Sequence, residues 1–232
     1  MGSSQTEMTI LRTDLFGRSL VGVYLEVTNS YVLYPPSINK SDLKKLQDVF
    51  QVDFYAFTVN NSKLVGVYST SNKFGIILPH ILRDDELSNL KENLLSSQNS
   101  TEISVLKSID NAYGNLILCN DKGAIISSLL RPYQEEIEQV LNVETQVFDF
   151  AGSYLPGSIG IANNKGCLVH PLATNDEIDY ISSVLKVETD VSTINRGVPY
   201  LSGGAAVNDS GGVFGKLSTG PELMRLTSVL QI

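Results

Sequence analysis

NKFGIILP (residues 72–79), NDKGAIIS (120–127), NNKGCLVHP (163–171) and NDSGGVFG (208–215) are near-copies of one another: a polar turn headed by asparagine leads into an apolar, β-branched run. A fainter copy, TNSYVLYP (28–35), carries Tyr31 where the other four have glycine. The turn glycines Gly75, Gly123, Gly166 and Gly211 stand 48, 43 and 45 residues apart. Self-similarity at such a period marks a propeller or a solenoid, here of five repeats of roughly 45 residues.

The copies also agree upstream. A small residue recurs six positions ahead of each turn, as Gly22, Gly66, Gly114, Gly157 and Ser202. Glycine inside a strand pattern marks close approach of another backbone, so the first strands of the units are expected to converge on a shared axis. Bulges that merely bend each strand are the other reading. Downstream the apolar spacing turns helical, with Leu43, Leu46, Val49 and Phe50 after Ser41, Leu87, Leu90 and Leu94 after Asp84, and Ile137, Val140 and Leu141 after Pro132. Thr174 with Glu177 and Thr219 with Glu222 have capping-box spacing, and Pro221 sits early enough in its helix to need no amide donor. Short strands follow, among them VDFYAFTV (52–59), EISVLKSI (102–109), VETQVFDF (143–150) and VETDVSTI (187–194). One unit therefore reads strand, turn, strand, helix, strand, an α+β pattern.

The last copy ends after its helix and lacks a final strand, while MTILRT (8–13) is spare at the head of the chain. Inserted into the fifth unit, that strand would close the chain into a ring without exposed sheet edges. Residues 1–7 are then expected to be a disordered leader, and 8–232 a single domain.

Composition narrows the function. With 42% hydrophobic and 18% charged residues the chain can bury a large core, and no segment is long and apolar enough to span a membrane. The start MGSSQTEM lacks the regions of a signal peptide. Cys119 and Cys167 lie in strand runs without metal-ligand spacing, and read as reduced core residues of a cytoplasmic protein. A net charge of −8 argues against nucleic-acid backbone as the main contact. The acids gathered at Asp84 to Glu86, at Glu135 and Glu136, and at Asp176 and Glu177 suit helix N-termini; attraction to a basic partner is the alternative.

Catalytic patterns are scarce. His80 and His170 each adjoin a proline that ends an apolar strand, and repeat equivalence accounts for them. Three residues separate Cys167 from His170, which on a strand sets their side chains on opposite faces, unsuited to a nucleophile and its base. GVFGKLSTG (212–220) fits no phosphate-loop or dinucleotide fingerprint. No catalytic residue, metal or cofactor is expected.

NAYGNLILCNDKGAIIS (111–127), NNKGCLVHP, TINRGVPYLSGGAAVND (193–209) and STGPEL (218–223) resemble the translation initiation factor 6 family, the ribosome anti-association factors of archaea and eukaryotes. The resemblance runs from about residue 8 to Ile232, without the long C-terminal tail of eukaryotic members, and so looks archaeal in type. It implies the pentein fold, five strand-and-helix units about a pseudo-fivefold axis closed by an N-terminal strand. It implies a monomer that binds the large ribosomal subunit, chiefly the ribosomal protein at the uL14 position near the sarcin–ricin loop, and blocks joining of the small subunit. A role in large-subunit biogenesis comes with it; a membrane or small-molecule substrate does not. By position, the family's contacts fall on Val67, Asn115 and Ser158, with neighbouring Asn120 and Asp121. Asn115 stands in the family's GN motif, whereas Val67 departs from the basic residue common there in eukaryotic members. Asn115 could instead serve only to satisfy backbone groups near the axis. Penteins also include guanidine-modifying hydrolases and amidinotransferases, which use a cysteine near the C-terminus; here the last 65 residues have none. A structural hub with incidental ribosome contact is a third reading.

Overall fold

A run such as GIILP shows no polar alternation, and a strand tolerates that only when both its faces are covered. Every such run is placed that way in the computed structural model, which describes residues 9–96 and 101–232. The expected leader, the first residue of MTILRT and most of the serine cluster 96–100 lie outside the described residues.

The strands form five separate three-stranded sheets that do not merge into a barrel. The central strands are β3 (Tyr31–Tyr34), β6 (Gly75–Pro79), β9 (Ala124–Ile126), β12 (Gly166–Val169) and β15 (Gly212–Gly215). Each pairs antiparallel with a short inner strand before it: β2 (Glu26–Val27), β5 (Thr70–Ser71), β8 (Ile117–Cys119), β11 (Gly160–Ala162) and β14 (Ala205–Val207). On its other side it pairs parallel with an outer strand, β4 (Asp53–Ala56), β7 (Glu102–Leu106), β10 (Thr145–Val147) or β13 (Glu188–Val191). The fifth sheet takes its outer strand from the head of the chain: β1 (Ile10–Thr13) pairs with β15 from Ile10↔Gly212 to Thr13↔Gly215. The closing strand read from the sequence is therefore present.

A parallel pair needs a crossover, and a helix supplies it in each complete unit. The helices are Lys40–Phe50, Asp84–Ser96, Gln134–Leu141, Asn175–Leu185 and Gly220–Leu230. The first starts earlier than Ser41 suggested, because the Asn39 side chain caps it by accepting from the Asp42 amide. Both expected capping boxes are formed. Four of these helices also pack closely on the central strand of the preceding unit: Gln134–Leu141 on β6, Asn175–Leu185 on β9, Gly220–Leu230 on β12 and Lys40–Phe50 on β15.

The hydrophobic cores consequently lie between units rather than within them. Ile76 and Leu78 enter the core shared with the first unit, while Ile77, on the opposite face, enters the core shared with the third. Five such cores are formed, one per joint. A fully buried leucine or isoleucine contributes roughly 2 kcal/mol. Cores of that kind outweigh pairing between strands of two to five residues, so neighbouring units stabilise one another.

The recurring small residues are where the units meet most closely, but the strand expected around them is instead one helical turn. These turns are Gly22–Tyr24, Val65–Tyr68, Tyr113–Leu116, Pro156–Ile159 and Leu201–Gly204. Each touches the next and the fifth touches the first. A Cβ on Gly66 would lie 2.1 Å from the Gly22 carbonyl oxygen, and one on Gly114 2.0 Å from that of Gly66. Only a hydrogen fits there. His80 and His170 are one place out of register: with Asn72 aligned on Asn163, His80 matches Pro171 and His170 matches Pro79.

Candidate docking site

The five residues proposed for docking fall into two groups at opposite ends of the inner strands. Val67, Asn115 and Ser158 occupy the same place in three successive helical turns, with Val23 and Gly203 completing the set; all five are half-buried. Asn120 and Asp121 follow β8 at its other end.

At the turn end, the Asn115 backbone amide bonds to Ala112 at 2.9 Å, while its side-chain amide has no hydrogen-bond partner among the described residues. Its carboxamide therefore does not serve as a backbone-satisfying group, and remains available. Around this set the loops that feed the turns expose large apolar side chains, Phe16, Leu20, Tyr154 and Tyr200. Lys63 lies 4.6 Å from the centre of the Phe16 ring, across the joint between the first two units. Sequence reasoning missed these side chains. Their signal was an exposed-looking loop carrying aromatic residues just before a recurring glycine.

The same loops are fixed from below by carboxylates on the long helices. Asn60 and Asn61 are both left-handed, as are Arg196 and Gly197, so consecutive amides form a concave donor pair. Glu86 accepts from Asn60 and Asn61 at 2.7 and 2.8 Å, and Glu222 accepts from Gly197 and Arg196 at 2.8 and 3.2 Å. Burial alone would raise the Glu222 carboxyl, but hydrogen bonds from Thr219, Gly197 and Arg196 outweigh it and hold it down at about 2. Because the folded value is depressed, this stabilisation is complete above the unfolded value of 4.5 and is lost as pH falls toward 2. Glu222→Gln is expected to lower stability by roughly 3 kcal/mol at neutral pH and to flatten acid unfolding, read as melting temperature against pH. An unchanged acid limb would remove Glu222 from this role.

At the opposite end, Asn120 is buried and its side chain is fully used. Its Nδ2 donates to the carbonyls of Asn163 and Leu185 at 3.1 and 2.9 Å, and its Oδ1 accepts from the amides of Lys122 and Gly123 at 2.9 and 3.0 Å. Asp121 accepts from the Lys73 amide at 2.8 Å and from the side chains of Asn164 and Asn29 at 2.6 and 3.3 Å. Asn120 has nothing left to offer a partner. The repeat of asparagine at this place in four copies was the sequence signal for a structural task.

Between the two ends lies an axial cavity of about 110 Å³, walled by the inner strands and including Glu26, Ser71 and Cys119. Burial, reinforced by the negative charge Glu26 would carry, pushes the Cys119 thiol up to about 12; burial does the same to Cys167. Neither is a thiolate at neutral pH, so neither is an activated nucleophile. Among the described residues, no group of three or more His, Cys, Asp or Glu side chains could hold a metal ion, and no helix is long and apolar enough to cross a membrane.

Serial units with shared cores, a glycine-packed set of turns and an exposed apolar rim characterise the class of fold, and comparison gives its family. Residues 10–229 match the eIF-6 family. Similar proteins include translation initiation factor 6 of Methanococcus vannielii, 36% identical over 96% of this chain and 99% of the relative. That of Methanocaldococcus jannaschii is 36% identical over 95% and 97%, and that of Staphylothermus marinus 35% identical over 94% and 96%. The chain belongs to the eIF-6 family.

Proposed function

We propose that this protein is a translation factor that binds the large ribosomal subunit and, by occupying its intersubunit face, sterically prevents the small subunit from joining. In this reading it is a monomeric, cytoplasmic pentein propeller, a binding module rather than an enzyme, with a further part in large-subunit maturation. Its partner is chiefly the basic ribosomal protein at the uL14 position near the sarcin–ricin loop. Membership of the eIF-6 family supports the translation role. The observation that carries the docking face is the turn end of the axis, where the carboxamide of Asn115 is uncommitted beside half-buried Val67 and Ser158 and exposed Tyr154 and Tyr200. Aromatic side chains around a small central set suit a protein partner. A chain of net charge −8 complements a basic one, which speeds encounter and sets register. High thiol pKa values disfavour the guanidine-modifying alternative, which needs a nucleophilic cysteine.

Sedimentation with separated subunits tests the function. Binding to large subunits alone, with a dose-dependent loss of joined ribosomes and weakening in salt, is expected; equal binding to both subunits would sink the reading. Asn115→Arg sets a bulky cation against a basic partner and is expected to reduce binding at least tenfold without changing the melting temperature. The control Glu136→Arg adds positive charge on an outer helix, where Glu136 accepts from the Ser104 hydroxyl, and should change binding little. Parental binding by Asn115→Arg would exclude this face.

A further inference from the structure

We propose that the joint between the first and second units is where the circle of units opens, and that the hydrogen bond from Ser71 to Glu26 is its latch. Four joints share one clamp. Asn72, Asn120, Asn163 and Asn208 each use their Nδ2 to reach the next unit, bonding the carbonyls that end its helix at Leu141, Leu185, Leu230 and Phe50 at 2.8 to 3.1 Å. The following residue repeats the step, with the amides of Lys73, Asp121, Asn164 and Asp209 donating to the side chains of Asp121, Asn164, Asp209 and Asn29. Lys122 and Lys165 add bonds from their ammonium groups to Asn164 and Asp209 carbonyls across two of the joints.

The joint from the first unit to the second can form neither step. Thr28 stands where asparagine should, and its single hydroxyl proton goes to the Tyr31 carbonyl of its own unit at 3.0 Å. Lys73 stands where the acceptor should, and an ammonium accepts nothing. Tyr31 stands where glycine admits the next helix elsewhere: a Cβ on Gly75, Gly123 or Gly166 would lie 2.0 to 2.1 Å from a carbonyl oxygen of that helix. A tyrosine denies the second unit's helix that approach. Its own side chain is fully buried at this joint.

Among the described residues this joint carries instead Glu26, at the position filled by Leu118, Ile161 and Ala206 in the apolar cores of three other joints. Its carboxyl accepts from the Ser71 hydroxyl at 2.6 Å. The groups around it are Thr70 and Ser71 from β5, the Tyr31 phenol from β3 and the Cys119 thiol from β8; no lysine, arginine or histidine lines the cavity among the described residues. Burial raises the phenol and the thiol, so both are neutral. Burial likewise raises Glu26 from 4.5 to about 8, with the bonds from Ser71 opposing the shift. In the shut joint the carboxyl, half-buried at the wall of the axial cavity, is held toward its protonated form, and opening exposes it fully to water. Opening releases one proton between pH 4.5 and about 8, so its equilibrium constant rises about tenfold per pH unit across that window.

Hydrogen exchange by mass spectrometry on the full chain at pH 5.5 and 7.5, corrected for intrinsic rates, reads this directly. Peptides covering β2, β3 and β5 are expected to lose about 100-fold protection, while those covering β8 and β11 hold theirs. Glu26→Gln is expected to abolish the pH response, and Ser71→Ala, which removes the latch hydrogen bond, to lower the protection of the same peptides at pH 5.5. A pH response that survives in Glu26→Gln, equal protection at all five joints, or first opening at the β1–β15 joint would each overturn the proposal. If Ser71→Ala does not fold, Glu26→Gln decides alone.

Discussion

Removing residues 1–13 is expected to melt the fifth unit and drive the chain into aggregates, whereas removing residues 1–5 leaves the melting midpoint in place. The difference lies in what β1 covers. Its partner β15 is buried along its whole length, and the Gly212 amide donates to the Thr9 carbonyl at 2.8 Å. Arg12 bonds the Ser218 carbonyl at 3.2 Å, and Leu11 packs on the core between the fifth and first units. Without β1, a short apolar strand becomes a free edge beside an opened core, a template for pairing with other chains. Calorimetry with light scattering measures both effects, and an unchanged midpoint after the longer deletion would refute the role of β1.

Asn163→Ala is expected to destabilise the protein by roughly 4 kcal/mol, more than truncation of any exposed side chain. The lost amide leaves four backbone groups without their partner, three of them buried: the carbonyls of Asn208 and Leu230 and the Gly166 amide, with the Lys165 amide the fourth. Asn163→Asp separates the two halves of the clamp, since a carboxylate still accepts from both amides but can donate to neither carbonyl. It should fall between parent and alanine in denaturant midpoint. A loss below 1 kcal/mol for Asn163→Ala would mean that the joint is held by its core alone.

Much of this was legible because a repeat reports its own errors. Four copies of an asparagine turn and a fainter fifth set the number of units, and a missing last strand with a spare first one revealed their closure. The glycines announced close approach, yet their helical geometry was hidden, since four residues around Gly66 or Gly114 have no periodicity to read and are shaped by the neighbouring turn. The capping box of Thr219 and Glu222 was visible in its spacing. The reach of Glu222 to Arg196 and Gly197 was not, because that contact links residues about 25 apart through space. Asn115 and Asn120 sit five residues apart and looked like one site; the three residues of β8 between them carry the chain from one end of the axis to the other. Thr28 and Lys73 were visible as departures from the pattern. Their meaning required knowing which unit lies across each joint.

Every joint is also head-to-tail: Gly66 meets the carbonyl of Gly22, Gly114 that of Gly66, Gly157 that of Gly114. A contact of this kind carries no stop signal and, between separate molecules, would grow until curvature or chance closed it. Here the stop is covalent. With the units on one polypeptide and the first strand completing the last sheet, the number of members in the circle is set by translation, and dilution cannot subtract one.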